Sequence, residues 1–310
     1  MKISGFTMVR NATKLYYPVK AAIESILPVC DEFVVALGNC DPDDGTEKEI
    51  VSIQSDKIKI IRTVWDREKY PDGMVYAQQT DIAMRACTGD WLFYIQSDEV
   101  VHEKYLPVIK EKCSEHLSNE KVEGILFEYK HFWGDYRHYI VSHAWYPREI
   151  RIVRNKPDIH SWRDAQSFRR IPNFNGLNYQ QKEGTYKLNV VPIEAYIYHY
   201  GWVRPPKYMQ TKRKTFTAIN LGEEKASRQF QELPEAFNYG DLSKLRVYTD
   251  TDPKVMKEWI SKFDWADQLE VSAKTNHKHE RFRYRLLTSI EQNLMGGQAL
   301  FGFKNYKLIN

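Results

Sequence analysis

Five short apolar runs, at 2–8, 32–37, 57–62, 90–96 and 122–129, follow one another through the first half of the chain, separated by stretches far too long for hairpin turns. Strands joined that way need crossovers, and the crossovers carry a helical period. Leu15, Val19, Ala22, Ile23 and Ile26 share one helix face in the first; Val75, Gln79, Ile82, Ala83 and Ala86 share one in the third, ahead of the terminator Gly89. Repeated βαβ units predict an α/β fold, a mainly parallel twisted sheet flanked by helices, with ligands in the crevice beyond the carboxyl ends of the strands. A chain of 310 residues holds one large unit of this kind with an elaborated end.

The polar residues cluster at those strand ends. Met8, Val9, Arg10 and Asn11 follow the first run, a loop from Gly38 to Thr46 follows the second, and Gln96, Ser97, Asp98 and Glu99 follow the fourth. Turn chemistry accounts for much of the second loop, which is made of Asn, Asp, Pro and Gly. The fourth is harder to dismiss. Trp91 to Ile95 is a buried-type run, and two acids at its end must share a low-dielectric crevice unless a cation compensates them. A divalent ion, magnesium or manganese, would do so with one or two carboxylates and substrate phosphates.

In order and spacing these residues resemble the family 2 glycosyltransferases, whose fold is called GT-A. Phe6 to Asn11 is similar to that family's opening strand and nucleotide loop, Val34 to Thr46 to its second strand and acidic loop, and Ala86 to Glu99 to the stretch ending in a DxD-type metal motif. The resemblance covers roughly the first 130 residues. It implies a nucleotide-sugar donor, with UDP as the family-weighted nucleotide, and direct displacement at the anomeric carbon with inversion. It makes Met8, Val9, Arg10, Asn11, Gln96 and Ser97 donor-binding and Asp98 the metal ligand, because Gln96 stands where the family often has its first Asp. In the acidic loop Asp41 and Asp43 are chosen to face the base or ribose, although counting does not separate them from Asp44. Arg10 meets the nucleotide or pairs with a loop carboxylate.

A base must take the proton of the acceptor hydroxyl, and Asp164 is the first choice with Glu149 in reserve. The competing reading of Asp164 is a surface ion pair with Arg163 or Arg169. Further on, His199 is a candidate metal ligand or a satisfied structural histidine, and Arg204 a two-pronged grip on the diphosphate.

These features divide the chain into a GT-A domain over 1–204 and a mostly helical extension over 205–310, with helices at 206–220, 253–263 and 279–295 and an acceptor-side or membrane-peripheral role. Basic residues crowd at Lys207, Lys212, Arg213 and Lys214, and at Lys274, Lys278, Arg281, Arg283 and Arg285. Solvated helix faces account for both groups; the sharper reading is contact with anionic lipid headgroups, suited to a lipid-linked or other glycan acceptor. A net charge of +4 demotes nucleic acid as a partner. The 20 Tyr and 8 Trp suit sugars and nucleobases, although most such residues fill cores. Four dispersed cysteines, no signal-peptide pattern and no apolar stretch of about 18 residues lead us to expect a cytoplasmic protein, at most at the inner face of a membrane, with its oligomeric state open. The Asn11-Ala12-Thr13 sequon is read as chance. Two rival classes remain. A sugar-phosphate nucleotidyltransferase would want a Gly-rich loop after the first strand, which is missing; a non-catalytic carbohydrate-binding protein would show no turnover.

Overall fold

The computed structural model describes residues 1–269, 275–297, 299–302 and 304–309. Five strands appear where the apolar runs predict them: β1 (Ile3–Val9), β2 (Glu32–Leu37), β3 (Ile58–Arg62), β4 (Trp91–Tyr94) and, after the short β5 (Glu99–Val101), β6 (Gly124–Trp133). The crossovers hold α1 (Val19–Ile26), α2 (Thr46–Val51), α3 (Met74–Arg85) and α4 (Leu106–Glu115). Leu15 falls outside α1, because Asn11 and Tyr16 adopt left-handed backbone and Pro18 then sets the helix start.

The second half adds β7 (His138–Ile140), β8 (Arg148–Arg154), the hairpin of β9 (Ile159–Trp162) and β10 (Ser167–Arg170), and the 17-residue β11 (Tyr186–Trp202). The main sheet runs β3-β2-β1-β4-β8-β6-β11-β10-β9. Its first four strands are parallel, β8 is antiparallel to both neighbours, and β6 and β11 are parallel again. This is the GT-A-type α/β arrangement: a twisted sheet, parallel through its N-terminal half, with helices on its faces.

Both faces of that half are buried, which is why its strands read as continuous apolar runs. Ile3, Val9, Phe33, Val35 and Phe93 pack into one core, while Phe6, Val34, Ala36, Leu92 and Tyr94 pack into another. The order 3-2-1-4 puts the topological switch between β1 and β4, so the loops leaving these two strands bound one crevice.

Residues 205–310 form α5 (Pro206–Leu221), α6 (Glu223–Gln231), α7 (Lys257–Ser261), α8 (Phe282–Leu294) and two short strands, β12 (Arg246–Val247) and β13 (Tyr306–Leu308). They lean on the sheet directly: β13 pairs with β11, and Trp265 is buried with Phe132, Tyr198 and Tyr200. Lys274 lies outside the described residues.

One buried ion pair ties the sheet to the loop after β4. Arg151 of β8 donates to both oxygens of Glu99, Nε to Oε2 at 2.9 Å and Nη2 to Oε1 at 2.7 Å, and both side chains are essentially inaccessible. Tyr129 of β6 donates to Glu99 at 2.8 Å, the Gln96 amide donates to it at 3.1 Å, and Arg151 also reaches the Gln166 carbonyl at 3.0 Å. Glu99 thus has its counter-cation in the protein, which leaves Asp98 as the acid after β4 that could meet a metal. Removing one partner strands a buried charge, so Arg151→Met should cost about 3–5 kcal/mol in urea unfolding. Glu99→Gln combined with Arg151→Met should recover much of that loss, and equal losses in the single and double variants would show that the pair is not coupled.

Candidate functional site

Beyond the carboxyl ends of β1 and β4 lies a cleft of about 460 Å³. It gathers Met8, Val9, Arg10 and Asn11 from the end of β1, and Gln96, Ser97 and Asp98 from the loop after β4. Asp164 comes from the β9–β10 turn and His199 from β11. Nine of the sequence candidates therefore meet in one place. Asn11 accepts the left-handed backbone that the β1 turn demands, and its carboxamide oxygen accepts the Asp41 amide at 2.8 Å.

The floor is built around Asp98 and His199. His131 on β6 stands opposite His199 on β11, with their Nδ1 atoms 3.0 Å apart, and His131 Nε2 lies 2.8 Å from the Tyr146 carbonyl. A carbonyl only accepts, so His131 Nε2 carries a hydrogen. Burial, with His199 adding to it, holds the His131 pKa well below its usual range, so the ring is neutral and its Nδ1 is an acceptor. His199 Nδ1 must then donate, which leaves Nε2 as the ring nitrogen that faces Asp98 Oδ2, 3.7 Å away.

The space between these two atoms is kept open by Gly201. A Cβ at that position would lie 2.5 Å from His199 Nε2 and 2.6 Å from Asp98 Oδ2. A carboxylate oxygen and an imidazole nitrogen facing a cradle that any side chain would fill suit a divalent cation. Among the described residues no group of three or more His, Cys, Asp or Glu could hold one, so this pair would need substrate oxygens and water to complete the shell.

Lys212 closes the other side. Its Nζ is 3.5 Å from Asp98 Oδ2 and donates to the Gly201 carbonyl at 2.6 Å. Burial and the nearby Arg204 push its pKa down to about 7, against the pull of Asp98. Burial pushes the Asp98 carboxyl up, but His199, Lys212 and Arg204 outweigh it and hold Asp98 below the usual carboxylate range. Lys212 is thus not part of a solvated helix face. The signal against that reading was spacing: Met209, Lys212, Arg213 and Phe216 fall on one face of α5, so two cations sit in an apolar stripe, and all four line the cleft.

Aromatic rings make up much of the remaining wall. Trp65 and Tyr76 meet edge to face at 5.3 Å beside Arg10, whose guanidinium carbon lies 5.9 Å from the Trp65 ring centre. Trp145, Tyr146, Trp202 and Tyr17 line the side nearer His199. Asp164 is exposed at the mouth, between Arg163 and Ala165, both in left-handed backbone. Such flanking strain often accompanies functional positions. Arg163 and Arg169 each lie over the Trp162 ring at 4.3 Å, and Asp164 has no ion pair among the described residues. Surrounding protein raises the Asp164 pKa, a push diluted by its access to water.

Four candidates fall outside the cleft lining. Asp41 and Asp43 turn to Lys14, whose Nζ lies 2.9 Å and 2.6 Å from them, because the loop after β2 folds back against residues 13 and 14. Arg204 is fully buried behind the floor and donates to the Leu15 and Gly201 carbonyls, so its prongs are not available to a diphosphate. Glu149 lies one layer behind Gln166, fully buried, with Oε2 unpartnered, and burial raises its pKa to about 7.

No protein-family model matches the chain, and no curated protein matches it. Among solved structures, glucosyl-3-phosphoglycerate synthase from Mycobacterium tuberculosis with Mn2+, UDP and phosphoglyceric acid is similar at 20% identity, over 41% of this chain and 43% of that one, with a TM-score of 0.29. The same enzyme with Mg2+ and UDP gives 19% identity over 41% and 43%, at a TM-score of 0.30. A mycobacterial protein gives 17% over 42% and 41%, at 0.29. The chain spans less than half the length of these structures.

Glu149 carries a pH signature. With a folded-state pKa near 7 against an ordinary 4.5, the folded form holds the proton more tightly, so the stability this group contributes is complete below 4.5 and is lost as pH rises through 7. Urea unfolding across that window should show a decline on the order of 3 kcal/mol from this group. Glu149→Gln should flatten it, and an unchanged slope in the variant would remove Glu149 as its source.

Proposed function

We propose that the protein is a glycosyltransferase that moves a sugar from a nucleotide-diphosphate donor, a UDP-sugar in the first instance, to a hydroxyl of a glycan or lipid-linked acceptor with inversion. The observation that carries this reading is the gap between Asp98 Oδ2 and His199 Nε2, held open by Gly201 at the floor of a switch-point cleft. Asp98 and His199 are the residues that would hold a divalent ion, manganese or magnesium, which when bound neutralises charge on the diphosphate.

The chain's own residues divide the remaining work. Lys212 adds a largely buried cation beside the same floor, where electrostatic stabilisation of a departing diphosphate is strongest. Arg10, Trp65 and Tyr76 offer a flat, partly cationic recess for the nucleobase, and Met8, Val9, Asn11, Gln96 and Ser97 line the donor between. Asp164, free of ion pairs among the described residues and raised in pKa, is the base that accepts the proton of the attacking hydroxyl. Helix α5 walls the acceptor side, which gives the extension over 205–310 its role.

Calorimetric titration of UDP and GDP, with and without manganese, tests the donor reading. UDP should bind only with manganese, and Asp98→Ala and Gly201→Ala should each weaken it by about 10–100-fold or more. Failure of both nucleotides to bind under either condition would overturn the transferase reading in favour of a carbohydrate-binding protein. Release of pyrophosphate from a nucleoside triphosphate and a sugar phosphate would overturn it in favour of a nucleotidyltransferase. Asp164→Asn should leave UDP affinity unchanged and lower donor turnover by about 10²–10⁴-fold. Unchanged turnover would remove Asp164 as the base.

A further inference from the structure

Helix α8 presents two unlike faces. Tyr284, Thr288 and Glu291 point into the protein: the Tyr284 ring stacks on His143, Thr288 accepts the His143 amide at 2.9 Å, and Glu291 meets His143 Nδ1 at 2.6 Å and the Leu300 amide at 2.7 Å. On the opposite face, the helical period places Phe282 and Leu286 together with Ser289 and Asn293. Phe282 is 79% exposed and Leu286 51%, and Leu294 and Phe301 close by in sequence are 79% and 97% exposed. Large apolar side chains this accessible are a liability unless something covers them.

The charges around them say what. Lys278, Arg281, Arg283 and Arg285 are exposed, and none has a carboxylate partner among the described residues. The acids of this stretch are turned away: Glu291 is buried against His143, and Glu280 accepts from the His277 amide and the Thr275 hydroxyl. A face carrying phenylalanine and leucine between unpaired arginines repels a second copy of itself and fits a surface that is both apolar and anionic.

We propose that α8 seats this protein on an anionic lipid surface, with Phe282 and Leu286 entering the acyl boundary and the arginines meeting headgroup phosphates. The helix is anchored through His143 to the segment that supplies Trp145 and Tyr146 to the cleft, so docking would bring that wall of the cleft to the membrane. No described helix is long and apolar enough to cross a bilayer. The inference stands apart from the transferase reading, because it invokes no donor, metal or turnover.

Co-sedimentation with vesicles tests it, using phosphatidylcholine alone and phosphatidylcholine mixed with phosphatidylglycerol. The protein should partition onto the mixed vesicles and not onto the neutral ones. Phe282→Ser with Leu286→Ser, and separately Arg281, Arg283 and Arg285 all to Ser, should each lower that partition at least about tenfold. All the replaced side chains are exposed, so unchanged thermal unfolding confirms that the variants remain folded. Failure to bind the mixed vesicles, equal binding to both kinds, or undiminished binding by the variants would overturn the proposal. So would a dimer in solution that Phe282→Ser with Leu286→Ser converts to monomer, which would assign the face to a second copy.

Discussion

The Glu99–Arg151 pair is the interaction that the site is built on. It joins the start of β5 to the middle of β8, and through Tyr129 and Gln166 it reaches β6 and the turn that carries Asp164. A guanidinium buried without a carboxylate, or the reverse, would be prohibitively costly in this interior, so the pair holds only when all four elements are in register. The consequence falls on its neighbours. With Glu99 neutralised internally, Asp98 is left as the acid after β4 that faces the cleft, and its charge remains available there.

Around Asp98 the protein has arranged charges that do not cancel neatly. Lys212 and Arg204 lie on one side, His199 on another, and Gly201 withholds the side chain that would fill the space among them. The His131–His199 contact decides which imidazole nitrogen faces that space, by passing one hydrogen-bond direction inward from the Tyr146 carbonyl. Positive charge beneath a water-accessible cleft, with a carboxylate and an imidazole facing an open point, is an arrangement that favours a polyanionic ligand and a cation together.

Several cleft-lining residues were legible because they sit at strand ends, where topology alone puts them together. Arg10, Asn11, Gln96, Ser97 and Asp98 needed only the βαβ period to be located. The candidates outside the cleft are of another kind. Asp41, Asp43 and Arg204 have the right chemistry for a nucleotide, but Lys14 and the Leu15 and Gly201 carbonyls satisfy them first. Lys212 looked like one more surface lysine until α5 was laid across the cleft. His131 carried no signal of its own, since its role depends on a strand pairing with β11 across a long separation in sequence.

The amino-acid sequence by itself determined the α/β class, the parallel half of the sheet and the crevice at its switch point, because hydrophobic period and crossover length are local quantities that one chain displays in order. Only the tertiary structure decided which charges are free. That question turns on which partner reaches each group first in a low-dielectric interior. The partners of Glu99, Asp98, His199 and Arg204 come from strands and helices far apart in the chain, so no local pattern records them.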